Sequence, residues 1–264
     1  SVEYQVPFGA FGYFFAGRDV KNRIKKMFKS RELRLKRDLE NHKKFNTEKR
    51  KKILIAGSSG MIGSQLVAFF DTGGHDVWRL VRREIKPDSN EIKWDPDNDV
   101  LDPDSIEGFD AIIHLGGAGI GDKRWTKKRK ILIQKSREKS TTLLSDTISN
   151  LKKKPEVFLV ASAIGYYGNR GDEELTEESK TGEGFLTETV LAWEKYAKSA
   201  KDAGVRVINI RTGIVLSATG GALQRMLLPW KLGAGGSIGG GKQWMSWISL
   251  DDQIFAINHL IMKK

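Results

Sequence analysis

The residues best suited to chemistry form the glycine-rich stretch Gly57-Ser58-Ser59-Gly60-Met61-Ile62-Gly63. An apolar, β-prone run at 51–56 precedes it, and the apolar helical face 64–70 follows it. A strand that turns through glycines into a helix can hold a pyrophosphate, because the backbone approaches the phosphates closely and the helix amino end offers N–H groups. A glycine triplet alone is a weak signal, but with this strand and helix we favour nucleotide binding over a plain glycine turn.

The next predicted strand, 77–81, ends in two arginines, Arg82 and Arg83. A site for NAD commonly carries an acidic residue at this strand end, where it binds the ribose hydroxyls. Guanidinium groups instead suit the 2′-phosphate of NADP, which they hold through paired hydrogen bonds. We therefore predict NADP (as NADPH) rather than NAD, with arginines on an ordinary surface as the alternative interpretation.

Small residues follow the buried strand predicted at 111–115, so a cofactor could lie directly against the backbone there. Another predicted strand, 156–161, is equally apolar. The cofactor contacts predicted at these two strand ends are Leu115, Gly116, Gly117 and Ala161. We interpret His114 as a core histidine rather than a catalytic one.

The strand 156–161 delivers three candidate catalytic residues, Ser162, Tyr166 and Tyr167. Open α/β sheets place their chemistry at the carboxyl ends of their strands, which is where these side chains fall. Two interpretations of the tyrosines carry equal weight: one of them transfers a proton, or both pack against the cofactor. No neighbouring lysine that would support a tyrosine is evident in the sequence.

Composition limits the remaining classes of site and location. The 264 residues include no cysteine, so the chain has no thiolate zinc site and no cysteine nucleophile, and we predict no metal site. No apolar run approaches the roughly 20 residues that cross a membrane, and no signal-peptide pattern opens the chain. We therefore expect no membrane association and a cytoplasmic location.

The net charge of +12 is concentrated near the amino end, where residues 1–52 hold 16 Lys and Arg against 6 Asp and Glu. We predict an edge strand at 2–6, a glycine-aromatic loop to residue 17, and a long amphipathic helix from Asp19. Its apolar stripe consists of Val20, Ile24, Phe28, Leu35, Leu39 and Phe45. This stripe needs a partner, either the nucleotide-binding domain or a second copy of the chain in a homodimer. We favour a solvated basic face over nucleic-acid binding, because aromatic stacking positions do not interleave the basic run.

From Lys51 onward the chain resembles the short-chain dehydrogenase/reductase superfamily, and within it the atypical epimerase-like proteins of the NAD-dependent epimerase/dehydratase type. The motifs that carry the resemblance are "GSSGMIG", "WDP", "HLGGAGI", "SAIGYYG", "RTGIVLS" and "GGGKQWMSWISLDD". The first 45 residues resemble the carboxyl-terminal strand and helix of a START-like (SRPBCC) domain. The resemblance implies an α/β fold, namely a doubly wound parallel Rossmann sheet with a small carboxyl-terminal substrate region. The expected domains are an appendage at 1–46 and an NADP-binding domain at 51–264, with its shortened substrate region from about residue 212.

The sequence departs from the superfamily at its acid/base pair, a tyrosine with a lysine four residues later. The aligned positions are Leu186 and Val190, neither of which can titrate. Two interpretations therefore remain open. The first is an NADP-dependent oxidoreductase or epimerase acting on an unknown small carbonyl or alcohol substrate. The second is a non-catalytic NADPH-binding sensor or regulatory module.

Overall fold

The computed structural model describes residues 9–45, 50–237 and 240–263, with side chains from residue 17 onward. The chain divides into two compact units, Ser1–Thr47 and Glu48–Lys264. Each unit is described by itself.

The first unit contains one long helix, α1 (Gly9–Lys44). The predicted helix from Asp19 is confirmed, whereas the predicted loop is wrong from Gly9 onward, and the predicted strand at 2–6 lies outside the described residues. Glycines in a helix each cost about 1 kcal/mol relative to alanine, and that cost motivated the loop prediction. Extending an existing helix is easier than nucleating one, so the helix-forming run after Asp19 can carry the glycine segment with it.

The second unit is built on a six-stranded parallel sheet with the order β3-β2-β1-β4-β5-β6. Its strands are β1 (Lys52–Ala56), β2 (Asp76–Val81), β3 (Glu91–Lys93), β4 (Ala111–His114), β5 (Val157–Ala163) and β6 (Arg206–Thr212). The strand order reverses beside β1, as in a doubly wound Rossmann sheet, so the predicted fold class is confirmed. The carboxyl ends of all six strands lie at one edge of the sheet.

Helices cover both faces of this sheet. They are α2 (Met61–Thr72) and α7 (Leu250–Met262) on one face, and α3 (Lys127–Asn150), α4 (Phe185–Lys195) and α5 (Lys198–Asp202) on the other. A further helix, α6 (Gly221–Lys231), contributes no buried residue to either face. A two-stranded parallel sheet follows β6 and consists of β7 (Ile214–Leu216) and β8 (Trp247–Ser249). Helix α3 begins after its capping residue Thr126, and α4 and α5 are two separate helices between β5 and β6.

The core consists of two apolar layers, one on each face of the sheet. Alternate strand residues point to opposite faces, and because both faces are covered the strands are apolar almost throughout. One layer joins the sheet to α3, α4 and α5 and includes Leu54, Ile112, Phe158, Leu144, Trp193 and Ala200. The other joins it to α2 and α7 and includes Ile53, Ile113, Leu159, Phe70 and Ile257. The packed strands hold their carboxyl ends in fixed register.

None of the helices in the described part of the chain combines the length and the apolar character needed to span a bilayer.

Candidate active site

The turn between β1 and α2 requires glycine at two positions. Gly57 has a φ of +83°, and a Cβ there would lie 2.9 Å from the carbonyl carbon of Leu115. A Cβ on Gly63 would lie 2.2 Å from the carbonyl oxygen of Gly57, which no side chain could accommodate. Gly57 therefore permits the turn, and Gly63 lets the helix pack against it.

Helix α2 begins at this turn without a side chain that caps it. Its N-cap residue is Gly60, and no side chain accepts a hydrogen bond from its first turn. The N–H groups of an uncapped first turn, together with the helix dipole, form a binding site for an anion. The turn therefore has the geometry that a dinucleotide pyrophosphate requires.

A cleft of about 980 Å³ opens beside this turn. Seven of the predicted cofactor residues line it: Gly57, Ser58, Ser59, Arg82, Arg83, Gly116 and Gly117. The other six do not line it: Gly60, Met61, Ile62 and Gly63 lead into or form the start of α2, Leu115 lies behind Gly57, and Ala161 lies on β5. The volume lies within the range of small-molecule and cofactor sites, at its large end.

The two arginines at the end of β2 have different partners. Arg83 donates two hydrogen bonds, of 2.9 and 2.5 Å, to the carboxylate of Glu91, whose side chain is completely buried. The Lys86 N–H also donates to this carboxylate, at 3.1 Å. The Arg83 hydrogen bonds, and after them the Lys86 N–H, lower the pKa of Glu91 from 4.5 to about 2. The charge of Arg83 is therefore committed to a buried carboxylate.

Arg82 instead stands at the open wall of the cleft. Its Nη1 lies 3.4 Å from Asp97 Oδ2, and both side chains are more than half exposed. Lys139 of α3 donates to the backbone oxygen of Asp97 at 2.8 Å, so its ammonium lies on the same side. The sequence analysis did not find Lys139, because the charges of this basic helix resemble an ordinary solvated face. Spacing was the available signal, since Lys128, Lys135 and Lys139 recur on one face of α3 and all three line the cleft.

His114 is a neutral core residue, as the sequence analysis interpreted it. Its Nε2 lies 3.0 Å from Ser140 Oγ, and that hydroxyl donates its own proton to the Ser136 carbonyl. The histidine Nε2 therefore carries the proton of this pair. Burial, and then the charge of Arg137, lower the pKa of His114 from 6.5 to about 3.

A second cluster lies at the carboxyl ends of β5 and β6, where Ser162 and Arg211 are partners in strand register. Ser162 Oγ donates to Glu194 Oε1 of α4 at 2.6 Å. Arg211 donates to the same carboxylate from Nε and Nη2, at 2.8 and 3.0 Å. The pKa of Arg211 is raised above its ordinary value, first by the hydrogen bond to Glu194. The ion pair is a two-pronged contact, the geometry that arginine prefers with a carboxylate.

The same arginine separates the roles of the two tyrosines. Arg211 Nη1 donates to the hydroxyl of Tyr167 at 3.1 Å. Its guanidinium carbon lies 3.4 Å from the ring centroid of Tyr166, which makes a cation–π contact. Tyr166 is thus bound through its ring face and Tyr167 through its hydroxyl. Both predicted catalytic tyrosines and Ser162 are brought together in this cluster.

The two positions that the sequence resemblance aligns with an acid/base pair are apolar in this protein. Leu186 and Val190 both lie on α4, and the side chain of Val190 belongs to the buried core. Glu194 is not among the predicted site residues, although it lies one helical turn after Val190. Arg211 is not among them either, although its place near the carboxyl end of β6, the strand beside β5, could have indicated it.

A parallel Rossmann sheet with a glycine-lined cleft and polar residues at its carboxyl edge defines a nucleotide-binding α/β protein. The family model for the NAD dependent epimerase/dehydratase family matches residues 53–264, and the chain belongs to this family.

Named relatives agree with this assignment. The epimerase family protein Mb2239 of Mycobacterium bovis is 39% identical over 209 residues, which cover 79% of this chain and 68% of that protein. The crystal structure of the nucleoside-diphosphate sugar epimerase from Corynebacterium glutamicum has a TM-score of 0.79 and 37% identity, and the match covers 90% of this chain but only 50% of that one. The human epimerase family protein SDR39U1, crystallised with NADPH, has a TM-score of 0.71 and 30% identity, covering 80% of this chain and 70% of that one.

The chain therefore spans half the length of the Corynebacterium glutamicum structure. The comparisons do not support the resemblance of the first 45 residues to a START-like domain: the matching family model covers residues 53–264, and none of the relatives named above is described as START-like.

Proposed function

We propose that this protein is an NADP(H)-dependent oxidoreductase or epimerase that acts on a small carbonyl or alcohol compound. The observation that carries the proposal is the hydrogen bond from Arg211 to the Tyr167 hydroxyl, close to Ser162 at the carboxyl edge of the sheet. This hydroxyl has a cationic neighbour although the usual lysine is missing. The supporting cation comes from β6 and not from α4, where the family pattern has it.

The residues of the cleft fit a dinucleotide. Gly57 and Gly63 let the backbone of the turn pack closely against Leu115 and against the start of α2, and α2 offers an uncapped amino end. We propose that the site prefers NADPH, because Arg82 and Lys139 both reach the open wall of the cleft. The human relative was crystallised with NADPH, which supports the same choice. When bound, the nicotinamide cofactor supplies or accepts the hydride.

We assign Tyr167 as the proton donor in the reductive direction. Its hydroxyl oxygen accepts from Arg211, and no described residue accepts its proton, so that proton stays available to a substrate oxygen. Reduction of a carbonyl needs an acid at the oxygen, which this arrangement supplies. Ser162 and Tyr167 hold the substrate oxygens while the strand ends fix their position.

The experiment mixes the protein and NADPH with compounds from several carbonyl and alcohol classes. Oxidation of NADPH is measured as the loss of absorbance at 340 nm. Nucleoside-diphosphate sugars form the first class, because the Corynebacterium glutamicum relative carries that description. We expect tight NADPH binding in calorimetry and oxidation by at least one class. Tight binding without oxidation by any class would overturn the catalytic proposal and favour a sensor.

A further inference from the structure

Glu194 determines the direction of the Ser162 hydrogen bond. A carboxylate paired with arginine accepts hydrogen bonds and cannot donate them. The contact of 2.6 Å between Ser162 Oγ and Glu194 Oε1 therefore uses the serine proton. What Ser162 retains for a substrate is its lone pairs.

Arg211 has the opposite effect on Tyr167. A guanidinium only donates, so the contact of 3.1 Å uses a lone pair of the tyrosine oxygen and leaves the phenol proton free. In the part of the chain that the structure describes, no other group takes that proton. One ion pair, Glu194 with Arg211, thus gives the two hydroxyls opposite hydrogen-bonding characters.

We infer that Glu194 and Arg211 are positioning residues that make Ser162 a hydrogen-bond acceptor and Tyr167 a donor, so that the site selects substrates carrying a hydroxyl beside a carbonyl. This inference rests on the proposed function. The Tyr167 proton meets the substrate carbonyl oxygen, and the Ser162 oxygen receives the proton of the adjacent hydroxyl. A ketone with an ether or no oxygen at that position leaves Ser162 without a donor.

A single isosteric substitution should weaken this character. Glu194 Oε1 accepts from both Ser162 Oγ and Arg211 Nε, so a glutamine can present its N–H to Ser162 only by turning the same group toward the arginine. In that orientation the serine proton is freed toward the substrate, and the site accepts a methoxy oxygen where the wild type requires a hydroxyl. Glu188→Gln is the matched control, since Glu188 lies on the same helix with its side chain exposed.

The test measures binding to the NADP⁺-loaded protein, so that it does not depend on turnover. Two probes differ only in the donor: 2-hydroxyacetophenone, and 2-methoxyacetophenone, which keeps the oxygen but lacks its proton. We expect the wild type and Glu188→Gln to bind the hydroxy compound about tenfold more tightly, which corresponds to one hydrogen bond. Glu194→Gln should narrow that preference while its NADP⁺ affinity stays the same.

A second variant covers the case in which Glu194→Gln does not fold. Ser162→Ala removes the acceptor itself, and it should bind the two probes equally. Equal binding of the probes by the wild type, or no binding of the hydroxy compound, would overturn the inference. So would a preference for the hydroxy compound that Ser162→Ala retained. Failure of the proposed function would look different, because NADPH would not be oxidised by any class while the probe preference persisted.

Discussion

Two arginine–glutamate pairs lie at opposite ends of the carboxyl edge of the sheet, and they differ in which other groups they contact. Arg83 and Glu91 join the end of β2 to β3, and the Glu91 carboxylate is buried and receives an additional backbone N–H. Arg211 and Glu194 join β6 to α4, and each of them also contacts a hydroxyl that is a candidate for chemistry.

The Arg83–Glu91 pair holds β2 to β3, whereas the Arg211–Glu194 pair contacts the candidate catalytic residues. The partners of Glu91 all lie on β2 or in the connection from β2 to β3, so the pair fixes the β2–β3 edge. Glu194 instead accepts a hydrogen bond from Ser162, and Arg211 donates one to Tyr167. An ion pair is therefore informative about function only when the groups at its ends have hydrogen-bonding capacity left.

The largest expected effect concerns the second pair. Tyr167→Phe removes the hydroxyl that Arg211 contacts and with it the proposed acid. We expect the rate of NADPH-dependent carbonyl reduction to fall by about 10²–10⁴-fold, the usual cost of losing a general acid. Single-turnover oxidation of NADPH measures this rate, and calorimetry should show unchanged NADPH affinity.

Tyr166→Phe is the matched control, since it keeps the ring on which the Arg211 guanidinium lies. We expect this variant to retain most of the activity. Equal losses in the two variants would show that the tyrosines act as one packing unit and that the proton has another source.

The next effect concerns the first pair and its neighbour. Arg82→Ala should weaken NADPH binding by about 10- to 100-fold, the range for one or two charge-assisted hydrogen bonds, with NADH binding little changed. Arg83→Ala should instead lower the melting temperature, because it leaves the buried Glu91 carboxylate with only the more distant Arg79, at 4.0 Å, as a cationic neighbour. Calorimetry with both cofactors and thermal unfolding separate the two effects.

Arg206→Ala serves as the control for loss of a positive charge, since Arg206 contacts backbone oxygens of the α7 region, at the opposite end of β6. If Arg83→Ala weakened NADPH binding relative to NADH binding more than Arg82→Ala did, the assignment of a structural role to Arg83 would be wrong.

Acid should weaken the Arg83–Glu91 pair in a defined range. The pKa of Glu91 is lowered from 4.5 to about 2, so this carboxylate stabilises the folded state fully above pH 4.5 and loses that contribution as the pH falls toward 2. The free energy of unfolding should therefore differ between wild type and Glu91→Gln near neutral pH, and the gap should narrow in acid. Urea unfolding at several pH values measures it, with exposed Glu174→Gln as the control. A gap independent of pH would contradict the assignment.

The cofactor half of this molecule could be predicted from sequence because its signals are local. Gly57 and Gly63 lie in one turn, and the strand and helix around them are adjacent in the chain. The same locality explains the confirmed strands, since a parallel strand buried on both faces is a continuous apolar run. The amino-terminal loop was wrong because glycine content counted for more than the helix-forming run beside it.

The reaction half depends on contacts that no local pattern contains. Ser162, Glu194 and Arg211 come from β5, α4 and β6, and they meet only because the sheet places these elements side by side. The different partners of Arg82 and Arg83 could not be predicted from the sequence either, because they depend on the burial of Glu91. Residue type identified the candidates, whereas the contacts of each residue could be read only from the fold.

The smallest effect tests the open wall around Arg82. Asp97 lies 3.4 Å from the Arg82 guanidinium and 4.0 Å from the Lys139 ammonium, and its carboxylate would repel an incoming 2′-phosphate. Asp97→Asn keeps the size of the side chain and removes its charge. Exposed ion pairs contribute about 0.2–1 kcal/mol, so NADPH affinity should rise by at most about fivefold, with NADH affinity unchanged. Calorimetry at low and high salt measures the change, which should shrink as salt screens the charges. Weaker NADPH binding in Asp97→Asn would instead mean that this carboxylate holds Arg82 and Lys139 in the orientation the phosphate needs.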